Sequence, residues 1–227
     1  MAEFHDLAEV ALNRQGQSWG NLGYWQSETE YSDACRALAL LLGAQAGLDQ
    51  QSLVFDAGFG CGDQLLLWLE HFRVAQVRGA NLSRSQTAYA KAKLAKAGFP
   101  AAATAIVQDD INDAEAWTAA LGEEKPSHVL ALDCAYHFPD RVAFIALVRR
   151  DLYLSQLQEA GFGDIRIIDI SEHVMPGFAR FIRTFRGSGQ PGLSGRLKYA
   201  VTGRFLQWAY RRSILRYCLI SATKTGR

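Results

Sequence analysis

The sequence predicts an α/β fold built on a mostly parallel sheet, and three observations carry that expectation. Short β-rich runs alternate with longer runs of helical periodicity. A glycine-rich loop, Asp56-Ala57-Gly58-Phe59-Gly60-Cys61-Gly62, follows the first of the β-rich runs. Hydrophobic residues make up 49% of the 227 and charged residues 21%, which is enough apolar side chain to bury a core and argues against disorder.

The elements follow in order. Ser52–Asp56 is a short apolar run ending at the glycine loop, which reads as a buried strand. Gln64–Phe72 has helical character. Val77–Leu82 is a second strand, after which Ser83 is placed to cap a helix over Arg84–Ala97 that stops at Gly98 and Pro100. Thr104–Gln108 reads as a third strand, Asp113–Leu121 as a helix and His128–Leu132 as a fourth strand. Strands separated by helices in this way make βαβ units, and ligands of such sheets bind beyond the carboxyl ends of the strands, where the strand order reverses. The residues just after Phe55, Leu82, Gln108 and Leu132 are therefore the ones to inspect.

The glycine loop narrows the choice of ligand. Alternate glycines allow a tight turn and a close approach of ligand to backbone, and the helix that follows offers free N–H groups to a negative group. Asp63 stands where a dinucleotide fingerprint would have its third glycine, which argues against NAD or FAD, and no Gly-Lys-Ser/Thr follows to make a P-loop. Asp-x-Gly-x-Gly-x-Gly after a strand instead resembles the motif of the class I, Rossmann-like, S-adenosylmethionine-dependent methyltransferases. Four further stretches share the resemblance in the right order over roughly residues 20–150: Asn21-Leu22-Gly23-Tyr24-Trp25, Gly79-Ala80-Asn81-Leu82-Ser83-Arg84-Ser85-Gln86, Gln108-Asp109-Asp110-Ile111, and Asp133-Cys134-Ala135-Tyr136-His137-Phe138. The last is similar to the tocopherol-methyltransferase and cyclopropane-synthase-like branch of small-molecule enzymes.

The resemblance implies S-adenosylmethionine as cofactor and S-adenosylhomocysteine as product. It implies that the loop from Gly58 to Gly62, Gly60 included, holds the methionine part of the cofactor, and that Asn81 meets the ribose hydroxyls. Asp109 would accept from the adenine amino group with the backbone near Ile111 beside the ring, Tyr24 and Trp25 would close over the cofactor, and Asp56, Leu82, Gln86, Asp110 and Asp133 are further cofactor-binding positions. A carboxylate is commoner than Asn81 at the ribose position. His137, just past the fourth strand, is the candidate base, with an unperturbed pKa suited to the task, and His173 is a second candidate. Each of these side chains also has a plainer reading as packing or loop structure. No metal constellation is visible, and Cys61 and Cys134 read as small packing residues.

The sequence departs from the family after the fourth strand. Asp140–Arg150 reads as a helix, but the chain then passes straight into Leu152–Gly161, similar to the family's later Gln-Leu-x-x-Ala-Gly-Phe helix. A block of some tens of residues, including the usual fifth-strand region, is missing between about Arg149 and Leu152. Asp164–Ile170 and Tyr217–Lys224 would be the sixth strand and the antiparallel seventh. The expectation is one domain over residues 1–227: an N-terminal helical cap (1–50), a cofactor-binding half (51–150) and a shortened C-terminal half (151–227), with helices on both faces of the sheet.

Charge is unevenly distributed. Residues 1–172 hold all 23 acids and 13 bases, whereas 173–227 hold 11 bases and no acid. The basic tail contains a helical pattern over Gly195–Arg216 suited to a substrate lid, an anionic membrane or, less well, nucleic acid. No adenine-methylation motif supports a nucleic-acid substrate. Scattered cysteines, the absence of a leader pattern and an apolar stretch (Ala37–Leu48) too short to span a bilayer give the expectation of a cytoplasmic protein, with peripheral membrane contact through the tail as its variant. The expected function is methyl transfer to a small, apolar or ring-bearing molecule; the alternatives are methylene transfer to a lipid and a non-catalytic cofactor-binding partner protein.

Overall fold

The computed structural model describes residues 12–110, 114–134, 157–158, 161–185 and 193–224. Helix α1 (Tyr31–Ala46) precedes an alternating series: β1 (Leu53–Ala57), α2 (Asp63–Glu70), β2 (Gln76–Asn81), α3 (Arg84–Lys96), β3 (Thr104–Gln108), α4 (Ala114–Leu121) and β4 (His128–Leu130). After the gap in the description come β5 (Phe162–Asp169), α5 (Ser171–Thr184), α6 (Leu193–Arg211) and β6 (Cys218–Lys224).

Strands β1–β4 form a parallel sheet in the order β3-β2-β1-β4. The chain moves outward from β1 to β3 and then returns to the other side of β1, so the order reverses between β1 and β4. That reversal opens a crevice at the carboxyl ends of these two strands. The inner strands β1 and β2 are buried on both faces, as central parallel strands are, whereas Val129 of β4 is exposed. Val54, Val77 and Ile106 pack into a large cluster with Leu38 of α1, Leu65 and Trp68 of α2, and Leu94 of α3. Phe55, Ala57 and Ala80 face the other way, onto Ala116 and Ala120 of α4. The period-2 alternation of each strand thus feeds two layers of helix.

Strands β5 and β6 pair antiparallel, as the sixth and seventh strands were expected to, but as a separate two-stranded sheet. Among the described residues no strand lies between β4 and β5 in sequence. The two sheets still share one core, since Ile170, Val174 and Leu219 belong to the same apolar cluster as Val54 and Val77. Ser83 caps α3 by accepting the Gln86 N–H, as expected. Helix α5 was not foreseen, and the basic helix runs from Leu193 to Arg211, shorter at its C-terminal end than the pattern suggested. The expected helix over Asp140–Arg150 lies outside the described residues, as does nearly all of Leu152–Gly161.

Candidate active site

The glycine loop leaves β1 into the crevice with Gly58, Gly60 and Gly62 all in the left-handed region (φ 75°, 56° and 90°). Each is held: the Gly58 N–H donates to Ala80 O (2.8 Å), that of Gly60 to Asn81 Oδ1 (3.3 Å) and that of Gly62 to Phe59 O (3.2 Å). What a side chain would meet differs sharply. A Cβ on Gly58 would lie 2.9 Å from Cys134 Cβ, and one on Gly62 2.8 Å from Ala90 Cβ, whereas one on Gly60 would meet nothing within 4 Å. The first and third glycines are therefore packing positions, and the middle one faces open space at the head of α2. Phe59, buried between them, anchors the loop.

Asp56 sits inside the core rather than on the open side of the loop, which corrects the expectation of a direct ligand contact. It is fully buried, and its oxygens accept hydrogen bonds from Gln64 Nε2 (2.8 and 2.9 Å) and Trp68 Nε1 (2.7 Å). Burial outweighs these hydrogen bonds and pushes its carboxyl up to about 6. Cys134 Sγ donates to Ala57 O (3.0 Å), and burial, with Asp56 and Asp133 adding to it, pushes the thiol up to about 12. It packs as a neutral side chain, as its sequence context suggested.

Across the end of β2, Asn81 ties the loop to α3. Its Oδ1 accepts the Gly60 N–H, while Nδ2 donates to Ser83 O (3.4 Å) and Gln86 Oε1 (3.2 Å). Gln86 thus stands as a buttress to Asn81. The two donor bonds also explain why asparagine replaces the commoner carboxylate: an aspartate here would set an oxygen against the carbonyl of Ser83. Leu82, by contrast, is 67% exposed just beyond the strand. The Asp109 N–H donates to Asn81 O (3.1 Å) and its Oδ1 accepts the Asp110 N–H (2.9 Å), which places both acids beside the β2 and β3 ends. Ile111 and His137 lie outside the described residues.

The segment Asn21–Trp25 forms a strap with three anchors. Asn21 is buried against α1, donating to Cys35 O (3.2 Å) while its backbone carbonyl accepts the Tyr31 hydroxyl (2.8 Å). The Leu22 N–H donates to Asp133 Oδ2 (2.6 Å), so Asp133 holds the strap to the end of β4. The Trp25 N–H donates to His173 O (2.6 Å) in the first turn of α5. The Trp25 ring packs 5.2 Å from that of Phe181 and its indole N–H donates to Leu22 O (2.7 Å), so it serves α5 packing rather than lying free to cover a ligand. Tyr24 is partly buried with its ring 4.9 Å from that of His173. His173 in turn makes a 3.1 Å contact to Glu172.

The stretch just before the strap was missed by sequence reasoning. Ser18 donates through both its N–H (3.0 Å) and its hydroxyl to Asp63, the first residue of α2, which also pairs with Lys93 of α3. On either side of Ser18, Gln17 Oε1 and Trp19 Nε1 are buried without a hydrogen-bond partner among the described residues. No motif marks these residues; only the geometry brings them to the exit of the glycine loop.

A parallel sheet reversing at β1/β4, a glycine loop with an open middle position and a strap held to the end of β4 define the Rossmann-like fold of class I S-adenosylmethionine-dependent methyltransferases. The chain has that fold, and its relatives are small-molecule enzymes. It is 24% identical over 239 aligned positions to the erythromycin 3''-O-methyltransferase of Saccharopolyspora erythraea, covering 82% of this chain and 76% of the relative. Among solved structures it resembles the geranyl diphosphate C-methyltransferase of Streptomyces coelicolor A3(2), crystallised with geranyl diphosphate and S-adenosyl-L-homocysteine (TM-score 0.65, 14% identity, 97% of each chain). It also resembles the [4+2]-cyclase SpnF (TM-score 0.62, 17% identity, 91% of this chain and 87% of that one). No family model matches the chain. The 239 aligned positions exceed what 82% of 227 residues supplies, so the erythromycin relative carries residues within the aligned span that this chain lacks, in keeping with the missing block.

Proposed function

We propose that the protein is an S-adenosylmethionine-dependent methyltransferase acting on a small molecule. The observation that carries the reading is the open space at Gly60, at the carboxyl end of β1 and the head of α2, between packed Gly58 and Gly62. The residues present fit the cofactor. The loop backbone and the α2 N-terminus suit its carboxylate, and Gln17 Oε1, a buried acceptor with no partner among the described residues, suits its ammonium. In this reading Asn81 lies at the ribose end of the crevice beside Gly60, exposed Leu82 offers an apolar surface to the adenine, and Asp109 and Asp110 supply acceptors for its amino group. When bound, the cofactor supplies an electrophilic methyl group on a sulfonium sulfur.

The chain's own work is to align the acceptor, exclude water and remove one proton where the acceptor is a hydroxyl or neutral amine. The strap, held at β4 and α5, excludes water over the crevice, with Tyr24 facing His173. His137 takes the proton in this reading. The acceptor is apolar or ring-bearing, in line with relatives named for erythromycin and geranyl diphosphate. Methylene transfer to a lipid and a purely non-catalytic role draw no support from those relatives.

Calorimetric titration with S-adenosylmethionine and S-adenosylhomocysteine tests the proposal. Binding of both is expected, with affinity falling at least roughly tenfold in Gly60→Val, because the branched side chain enters the open space and disfavours the left-handed backbone. Unchanged affinity in a folded Gly60→Val protein sinks the assignment. Because SpnF shows that this fold also serves a cyclase, product analysis by mass, looking for a gain of one methyl group, tests transfer separately from binding.

A further inference from the structure

Helix α6 carries a second apolar face that looks away from the core. On its inward side Gly203 and Ala209 are buried and Leu206 is half-buried, and a Cβ on Gly203 would lie 2.7 Å from Arg183 Cγ and 2.8 Å from Ala179 O, so the missing side chain lets α6 approach α5 closely. On the other side Leu197, Val201, Phe205 and Trp208 are 66%, 55%, 52% and 51% exposed. At 3.6 residues per turn they fall within an arc of about 80°, a continuous stripe about three turns long. The Phe205 and Trp208 rings lie 6.0 Å apart, and Ile214 just beyond the helix is also exposed. An apolar stripe of this kind marks a contact surface.

The charges around it select the partner. Arg204 and Arg211 are exposed along one flank of the stripe and Arg212 lies beyond its end. The helix contains four bases and no acid, and no acid occurs anywhere from His173 to the C-terminus. Two copies meeting stripe to stripe would bring these arginines together, whereas an anionic lipid surface neutralises them while accepting the apolar side chains. No helix among the described residues is long and apolar enough to cross a membrane, so the contact lies on the bilayer rather than through it. We propose that α6 is a membrane-docking helix that rests on an anionic bilayer, with Leu197, Val201, Phe205 and Trp208 entering the headgroup region and Arg204 and Arg211 pairing with phosphates. The surface is separate from the lipid-substrate alternative and independent of the methyltransferase reading.

The test is sedimentation of the full chain, without cofactor, with vesicles of phosphatidylcholine alone or with one part in three phosphatidylglycerol. The protein is expected to pellet with the anionic vesicles at low salt and to be released as salt rises. Phe205→Ser/Trp208→Ser should lower partitioning roughly tenfold or more, with near-ultraviolet circular dichroism reporting that the fold is kept. Arg204→Gln/Arg211→Gln should weaken it several-fold and flatten the salt dependence. Absence of pelleting by the wild type on anionic vesicles at low salt overturns the proposal. Equal pelleting of the wild type and Phe205→Ser/Trp208→Ser does so too. A dimer in light scattering that the same double substitution dissociates assigns the stripe to a second copy and likewise overturns it.

Discussion

At the scale of single residues, Asp56 shows how a motif position can be functional without touching a ligand. Its carboxyl supports the β1 end through Gln64 and Trp68, at the cost of burying a titratable group. The pH consequence follows from a pKa raised from 3.8 to about 6. Below about pH 4 folded and unfolded chains both hold the proton. Between about 4 and 6 only the folded chain holds it, so stability falls as pH rises, and above about 6 the loss is complete. The full effect is at most about 3 kcal/mol. Asp56→Asn carries no charge to bury and, with the Gln64 amide turned, keeps its partners. Urea unfolding across pH 4–7 should therefore show the variant gaining on the wild type as pH rises and holding its advantage above the window. Parallel pH profiles for the two proteins would refute this. The motif announced Asp56, Asn81 and Asp133, but their roles here depend on partners distant in sequence, Leu22 for Asp133 among them, which spacing does not reveal.

At the scale of elements, the β-rich runs and the helices between them were legible because burial on both sheet faces imposes short apolar runs, and Ser83 marked its helix by a local hydrogen bond. Helix α5 was not legible. Pro176 and Gly177 argue against a helix by propensity, and the reason for Gly177 is tertiary: a Cβ there would collide with the Cβ and ring of Trp25. Strap and helix touch because that position has no side chain. Gly177→Ala is expected to cost about 1–3 kcal/mol by overpacking, read by urea unfolding. In a double-mutant cycle the Gly177→Ala cost should persist in a Trp25→Ala background, since the Trp25 Cβ itself is among the clashing atoms, and should vanish in a Trp25→Gly background. Rescue by Trp25→Ala would mean that the ring, not the backbone approach, sets the fit.

At the scale of the whole molecule, the acid-rich first 172 residues and the acid-free remainder carry opposite net charge, −10 against +11. They share one core, and Arg216 reaches Asp169 at 3.6 Å. Long-range attraction between the two parts therefore adds to the stability of the folded chain and is lost to screening. The midpoint of thermal unfolding is expected to fall by about 2–4 °C, equivalent to about 1 kcal/mol for a chain of this size, between low and moderate sodium chloride. A midpoint that is flat or rising with salt would show that the asymmetry serves a partner rather than the fold. The asymmetry itself was plain in the sequence. The division into a parallel and an antiparallel sheet was not, because strand pairing across the shortened segment is a property of contacts rather than of local pattern.

The strap also bears on how the chain is made. Its anchor on α1 is local and forms early, but the other two are Asp133, more than a hundred residues downstream, and His173, farther still. During synthesis the strap and α1 emerge before both of these partners, so the strap is held at one end only until α5 has left the ribosome. Until then Trp25 and Tyr31, which end up packed beside Phe178 and Phe181, lack those partners on the nascent chain. Helix α5 thus acts as the clasp for a segment made much earlier, and a ribosome that stalls before it leaves those rings exposed to chaperones and proteases.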